Sequence, residues 1–163
     1  ITKDEALARL ARNYFRSHTP ATLQDFVWWS GLSVTEAKQG IYLIGSELTE
    51  EQWKGQTWYL HESGRTRGSI KGHIRFLPPY DELLLGYKDR TDVLLSEHCS
   101  KAFTGNGLFF PVILYEGQIV GNWDRKAKRN GCDPGYSLFR QESRIDEALL
   151  DKAQQQYMQF LGK

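Results

Sequence analysis

Three short amphipathic segments in the first 44 residues restrict the fold more than any other feature of the sequence. In the segment 4–17, apolar side chains recur every three or four residues, which predicts a helix that ends before a His-Thr-Pro sequence. The segment 22–30 predicts a second helix. Ser33 is a predicted N-cap, and Glu36 three residues later completes a capping box for a third helix that ends near residue 44.

The second and third helices are joined by a tight Ser-Gly-Leu turn at 30–32, which has the proportions of a helix-turn-helix. The stretches 48–54 and 56–61 then predict two strands on either side of Gly55. Helices followed by a hairpin form a winged helix, which we predict for residues 1–62. On the pattern alone, a plain three-helix bundle with an unrelated hairpin stays open.

The pattern of predicted secondary structure changes after a polar connector at 63–72 that contains three glycines, and we place a domain boundary there. Beyond it, short strand-like runs dominate, and an amphipathic stretch closes the chain. The predicted strands are 73–77, 109–115, 118–124 and 136–141, with a long polar tip at 125–135 and a last helix over 143–161. The chain is therefore predicted to be an α+β protein. In it, residues 63–163 form a small antiparallel β-barrel or sheet with a C-terminal helix.

Charge is unevenly distributed, although the whole chain of 163 residues has a net charge of only +1. Residues 1–62 have six basic and eight acidic side chains, whereas residues 63–142 have twelve basic and nine acidic ones. Clustered cations bind nucleic-acid phosphates because binding releases counterions. Solvated loops are the alternative for each cluster. The two clusters are Arg65, Arg67 and Lys71, and Arg125, Lys126, Lys128 and Arg129.

Composition excludes several protein classes. Apolar residues make up 40% and charged residues 25% of the sequence, as in soluble globular proteins, and no apolar run is long enough to cross a bilayer. The two cysteines and four histidines have no metal-ligand spacing, and two cysteines make no disulfide framework. We expect a cytoplasmic protein without membrane contact, metal or cofactor. Because the sequence starts with Ile1 instead of Met, we expect it to be a piece of a longer chain.

Three runs in order, at 8–32, 77–90 and 111–123, resemble one family. The second run is LPPYDELLLGYKDR and the third is PVILYEGQIVGNW. Together they resemble the AlkZ-type DNA glycosylases, a group of bacterial winged-helix DNA-binding proteins. The resemblance implies several winged helices in a row that end with a β-barrel, of which this chain has the last winged helix and the barrel. It also implies duplex DNA as the partner, base-excision repair as the process, and packing against an N-terminal winged-helix region.

The resemblance transfers no catalytic residue to this chain. Glycosylases of the family have a Gln-apolar-Gln or Gln-apolar-Asp pair in their N-terminal part, whereas the Gln-x-Gln here, at 154–156, has a polar middle residue. We predict that it lies on a helix surface and that this segment alone is not an enzyme. Asp81 and Asp89 stay open as orienting groups for a glycosidic bond, against the simpler hypothesis that they form turns or pair with Lys88 and Arg90.

For DNA contact, the third helix offers Thr35, Lys38 and Gln39 as donors to phosphate or base edges, while Glu36 opposes a close phosphate contact. The tip at 125–129 is the stronger electrostatic candidate, with Trp123 beside it as a stacking ring. Of the pair Trp28 and Trp29, we expect one to pack in the core. A module for protein association or transcriptional regulation, without repair activity, is the alternative function.

Overall fold

A computed structural model describes residues 1–64, 68–128, 131–140 and 145–160, with the backbone alone for 125–128 and 131–134. Its contacts divide the chain into two compact units. The first contains residues 1–68 and 85–89, and the second contains residues 69–84 and 90–163.

Three helices and three strands form the first unit. In chain order they are α1 (Lys3–Ser17), β1 (Ala21–Thr22), α2 (Leu23–Ser30), α3 (Val34–Leu43), β2 (Leu48–Trp53) and β3 (Gln56–His61). The strands make one antiparallel sheet in the order β1-β3-β2. The predicted helices and the predicted hairpin are confirmed, and β1 is an element that the sequence analysis missed.

Capping boxes explain where these helices begin. The predicted box of Ser33 and Glu36 is present at the start of α3, and Thr2 with Glu5 and Thr22 with Asp25 make two more. Each box satisfies backbone N–H groups that have no partner within the helix. Helix α2 ends at Gly31, whose φ of 69° is favourable for glycine because it has no Cβ.

The core of the first unit is aromatic. Tyr14, Phe15 and Phe26 are fully buried with ring centroids 5.1 to 5.5 Å apart. The segment 85–89 joins this core through hydrogen bonds, because the Tyr14 hydroxyl donates to the Gly86 carbonyl at 2.9 Å. The rest of the buried cluster is Ala11, Ala21, Ala37, Ile41 and Ile44.

The second unit is a sheet with a helix packed on it. The strands β4 (Ile74–Leu77), β5 (Val112–Tyr115), β6 (Gln118–Lys128) and β7 (Gly131–Leu138) pair antiparallel in that order. Helix α6 (Glu147–Phe160) buries Leu150 and Ala153 against the sheet. Two short helices, α4 (Glu82–Leu85) and α5 (Cys99–Ala102), lie between β4 and β5 in the sequence.

Of the predicted barrel or sheet, the antiparallel sheet with its C-terminal helix is confirmed and the closed barrel is wrong. Within the described ranges, β4 and β7 are the two edges of an open four-stranded sheet, so no closed barrel is formed. The predicted polar tip at 125–135 is also wrong over most of its length, because β6 and β7 pair in register as far as residues 128 and 131. Backbone pairing extends these strands although their side chains lack an apolar alternation. Pro134 is tolerated because β7 is an edge strand.

The last helix starts later than predicted. Asp146 accepts a hydrogen bond at its Oδ1 from the backbone N–H of Ala148 at 3.0 Å, which fixes the first turn at Glu147. Ile145 is buried just before the helix, and residues 143 and 144 lie outside the described residues.

Candidate nucleic-acid interface

The predicted DNA-contacting residues of α3 lie together on its exposed face. Thr35, Lys38 and Gln39 are all exposed, while Ala37 and Ile41 are buried in the core of the first unit. The exposed residues are three and four positions apart, which places them on one side of a helix. The structure therefore presents polar donors along one face of this helix.

Tyr42 extends this face and was missed by the sequence analysis. It lies seven positions after Thr35, and 80% of its side chain is exposed. Recognition helices usually contact bases with their first half, whereas Tyr42 lies in the second half of α3. The burial of Gly40 and Ile41 is the signal that points Tyr42 outward.

Glu36 is compensated by a neighbouring cation. The Lys3 ammonium lies 2.8 Å from one Glu36 carboxylate oxygen, and the other oxygen accepts from the Ser33 hydroxyl at 2.7 Å. Hydrogen bonds from Lys3 and Ser33 lower the pKa of Glu36 from 4.5 to about 2. The carboxylate that was expected to oppose phosphate contact is therefore paired within the protein.

The first basic cluster is described only in part. Lys71 is exposed in the connector before β4, where its backbone N–H donates to the Ser69 hydroxyl oxygen at 3.0 Å. Arg65 and Arg67 lie outside the described residues.

The second basic cluster lies on the β6–β7 hairpin instead of a loop. The backbone of Arg125, Lys126 and Lys128 belongs to β6, and Arg129 lies outside the described residues. Along β6, residues 125, 126 and 128 are paired with residues 134, 133 and 131 of β7. The backbone at these three positions thus forms a regular strand instead of an irregular loop.

Trp123 is a core residue, so the prediction that it provides a stacking ring beside the cations is wrong. It is 7% exposed, packs against Phe76 and Tyr157, and donates its indole N–H to the Leu77 carbonyl at 2.7 Å. The prediction failed because the charged residues next to Trp123 in the sequence do not indicate which face of the sheet is covered by α6.

The tryptophan pair of α2 divides as expected. Trp29 is half-buried against Tyr14 and His18. Trp28 is exposed, and its indole N–H donates to the Leu85 carbonyl at 3.1 Å. Trp28 therefore helps to hold the segment 85–89 within the first unit.

Of the two carboxylate candidates, Asp81 takes a structural position. Asp81 Oδ1 accepts from the backbone N–H of Leu83 at 2.9 Å, and the Asp81 carbonyl accepts from Leu84, so Asp81 begins α4. This geometry favours the turn-forming hypothesis for Asp81. Asp89 is exposed. Over the described parts of the chain, no three His, Cys, Asp or Glu side chains come together in a way that holds a metal ion.

A family model for DNA glycosylase AlkZ-like proteins matches residues 2–160. The chain belongs to the AlkZ-like DNA glycosylase family. The resemblance inferred from the three sequence runs is thereby confirmed.

Two comparisons locate the chain within AlkZ-like proteins. It is 29% identical over 128 residues to the interstrand DNA cross-link repair glycosylase of Streptomyces sahachiroi. This match covers 74% of the chain and 34% of that relative. The solved structure of the Streptomyces sahachiroi DNA glycosylase AlkZ superposes with a TM-score of 0.76 at 25% identity, over 92% of this chain and 41% of that one. The chain thus spans about a third of the length of its curated relative.

Two further observations bear on the AlkZ-like chain. Gln155 and Gln156 are exposed on α6 and Gln154 is half-buried, so the Gln-x-Gln sequence lies on a helix as predicted. Every helix in the described ranges is too short or too polar to span a bilayer.

Proposed function

We propose that this chain is the DNA-binding C-terminal region of an AlkZ-like DNA glycosylase that takes part in base-excision repair of alkylated or crosslinked DNA. The family match over residues 2–160 is the observation that supports it most directly. Catalysis is assigned to another part of the glycosylase, since the chain aligns with only a third of its cross-link repair relative.

In this proposal the first unit is a winged helix. The element order α1-β1-α2-α3-β2-β3 and the strand order β1-β3-β2 support it, together with the tight turn at Gly31. Helix α3 is then the recognition helix, and Thr35, Lys38, Gln39 and Tyr42 contact DNA from its exposed face. Hydroxyl, amide and ammonium donors of this kind bind phosphate oxygens and base edges.

The β6–β7 hairpin provides the main electrostatic contact. Four of the five residues from 125 to 129 are cationic, and three of them belong to one strand. Each phosphate that such a side chain neutralises releases counterions, so the affinity falls steeply as salt is added. Arg65, Arg67 and Lys71 add a second set of phosphate contacts, and an N-terminal winged-helix region packs against this chain in the complete protein.

The experiment is fluorescence-anisotropy binding to a plain duplex over a series of salt concentrations. We expect strong salt dependence for the parent chain. Replacement of Arg125, Lys126, Lys128 and Arg129 by Ala should reduce the slope of log K against log salt by about 3 to 4, at about 0.9 for each phosphate contact. The matched control replaces Arg9, Arg16, Lys101 and Lys152, four exposed cations elsewhere, and should keep most of the slope.

Three results would contradict parts of the proposal. A parent chain that does not bind at low salt shows that DNA is held by another part of the glycosylase. A hairpin variant that binds as tightly as the control assigns the phosphate contacts to other residues. Release of a base from an alkylated duplex by this chain alone would contradict the assignment of catalysis elsewhere.

A further inference from the structure

The β2–β3 hairpin has properties that do not suit DNA, and we propose that it docks a basic, extended protein segment. This inference is independent of the proposed DNA binding. Among the residues that the structure describes, strand β2 is the edge of its sheet, and every residue from Thr49 to Trp53 is exposed. An exposed edge presents backbone N–H and C=O groups that an extended peptide can pair with as an added strand.

Two tryptophans and a carboxylate lie on one face of this hairpin. Glu51 is paired directly with Trp58 across the two strands, and Trp53 follows Glu51 by two positions, so the three side chains share a face. The Trp53 and Trp58 rings meet edge to face with centroids 5.4 Å apart, and half of the Trp53 side chain is exposed. The hairpin thus has an aromatic surface next to an acidic group.

The aromatic surface already interacts with a cation of its own chain. The Lys54 ammonium lies 4.2 Å from the centroid of the Trp53 ring. An ammonium at this distance is attracted by the negative face of the ring. An arginine of a docked segment adds a planar guanidinium that stacks on tryptophan and forms two hydrogen bonds with a carboxylate such as that of Glu51.

Charge selects a basic protein segment over nucleic acid. The hairpin from 48 to 61 has two carboxylates, Glu50 and Glu51 on the exposed strand β2, against one cation, Lys54. Carboxylates repel phosphate groups and attract Arg or Lys side chains. The ligand that complements both the free edge and the acidic aromatic face is an extended segment in which Arg alternates with apolar residues.

The hairpin is rigid enough to act as a preformed site. Lys54 and Gly55 have φ values of 51° and 71°, and this two-residue turn fixes the register of the strands. The Trp58 indole N–H donates to the Trp53 carbonyl at 3.2 Å, and the Gln52 amide donates to the Thr57 hydroxyl at 2.8 Å. Docking therefore needs little ordering of the hairpin itself.

The test uses a ten-residue synthetic peptide of alternating Arg and Val, measured by calorimetry and by tryptophan fluorescence. We expect it to bind, whereas the same peptide with Glu for Arg, and a form with N-methylated backbone amides, should bind at least tenfold more weakly. The first control tests charge and the second tests strand pairing. Both controls keep the length and the apolar residues of the peptide. Simple hydrophobic adsorption would therefore not weaken their binding relative to the Arg-Val peptide.

Variants assign the binding to the hairpin. W53A and E51K should each weaken binding of the Arg-Val peptide at least tenfold, and E51Q tests the charge with the smallest change in shape. E147K reverses an exposed carboxylate on α6 and should leave binding unchanged. Equal binding by the parent, W53A and E51Q would overturn the proposal. Loss of duplex binding in W53A, with no peptide binding by the parent, would overturn it in favour of nucleic acid.

Discussion

Lys3 and Glu36 link the first turn of α1 to the first turn of α3 through an ion pair of 2.8 Å. The pair joins two helices whose N-termini are each closed by a capping box. It also compensates the one carboxylate in the first turn of the proposed recognition helix. The link between α1 and α3 and the charge at the start of α3 thus depend on the same two side chains.

The first prediction is that part of the stability depends on the ionisation of Glu36. Because the pKa of Glu36 is lowered from 4.5 to about 2, the stabilisation is present above pH 4.5 and is lost as the pH falls toward 2. Glu36→Gln should be less stable than the parent at pH 6, and the difference should shrink between pH 4.5 and 2. Thermal unfolding at a series of pH values measures it. A difference that does not change with pH would show that the ion pair has no role in stability.

The start of α3 is predicted correctly because the residues that determine it are close together in the sequence. Ser33 and Glu36 are three residues apart, and the capping box they form needs no other part of the chain. The same holds for the turn at Lys54 and Gly55, which places two strands next to each other. The exposure of Tyr42 was not predicted, since it depends on how Gly40 and Ile41 pack in the core.

The second half of the chain was predicted less accurately because its pairing is not local. The residues from 125 to 135 were assigned to a loop by their polarity, although residues 125–128 and 131–135 belong to a ladder of backbone hydrogen bonds. Trp123 was assigned to the surface by its charged neighbours, although it is covered by Tyr157 of α6, more than thirty residues later. Neither contact leaves a periodic signal in the sequence.

The second prediction concerns Asp25, a carboxylate only 3% exposed. One of its oxygens accepts from the backbone N–H and the hydroxyl of Thr22, and the other accepts from the backbone N–H of Lys88 at 2.8 Å. Asp25→Asn places an amide N–H against one of these donors and should lower the free energy of unfolding by about 1–3 kcal/mol. Urea unfolding measures it, with the exposed neighbour change Gln24→Ala as the control. Equal losses in both variants would contradict the role of Asp25.

The third prediction is that β6 tolerates no side chain at Gly121. A Cβ at this position would lie 2.5 Å from the Ser137 carbonyl oxygen and 3.1 Å from the Leu138 Cα, both in the backbone of β7. Gly121→Ala should therefore destabilise the protein by about 1–3 kcal/mol. Gly105→Ala is the matched control, because a Cβ there meets no atom within 4 Å. If the two variants unfold at the same urea concentration, β6 and β7 do not approach closely enough at Gly121 to exclude a Cβ.

The fourth prediction separates two kinds of DNA contact on α3, and it depends on the proposed function. Lys38→Ala should reduce the slope of log K against log salt by about 0.9, because one fewer phosphate is neutralised. Tyr42→Phe removes only a neutral hydroxyl, so it should weaken binding about fivefold, for a hydrogen bond of about 1 kcal/mol, without changing the slope. Anisotropy titrations at several salt concentrations measure both quantities. Gln155→Ala, on the exposed surface of α6, is the control.

The outcomes of this fourth experiment distinguish the position of Tyr42 from the binding itself. Suppose that the parent binds DNA and that Tyr42→Phe and Tyr42→Ala bind it as tightly as the parent. The part of α3 that contacts DNA then ends before Tyr42. If Lys38→Ala also keeps the parent slope, α3 is not the contacting helix, and the cations of the β6–β7 hairpin account for the affinity. A neutral donor and a cation on one helix face thus report on phosphate contact in different ways, since only the cation releases counterions.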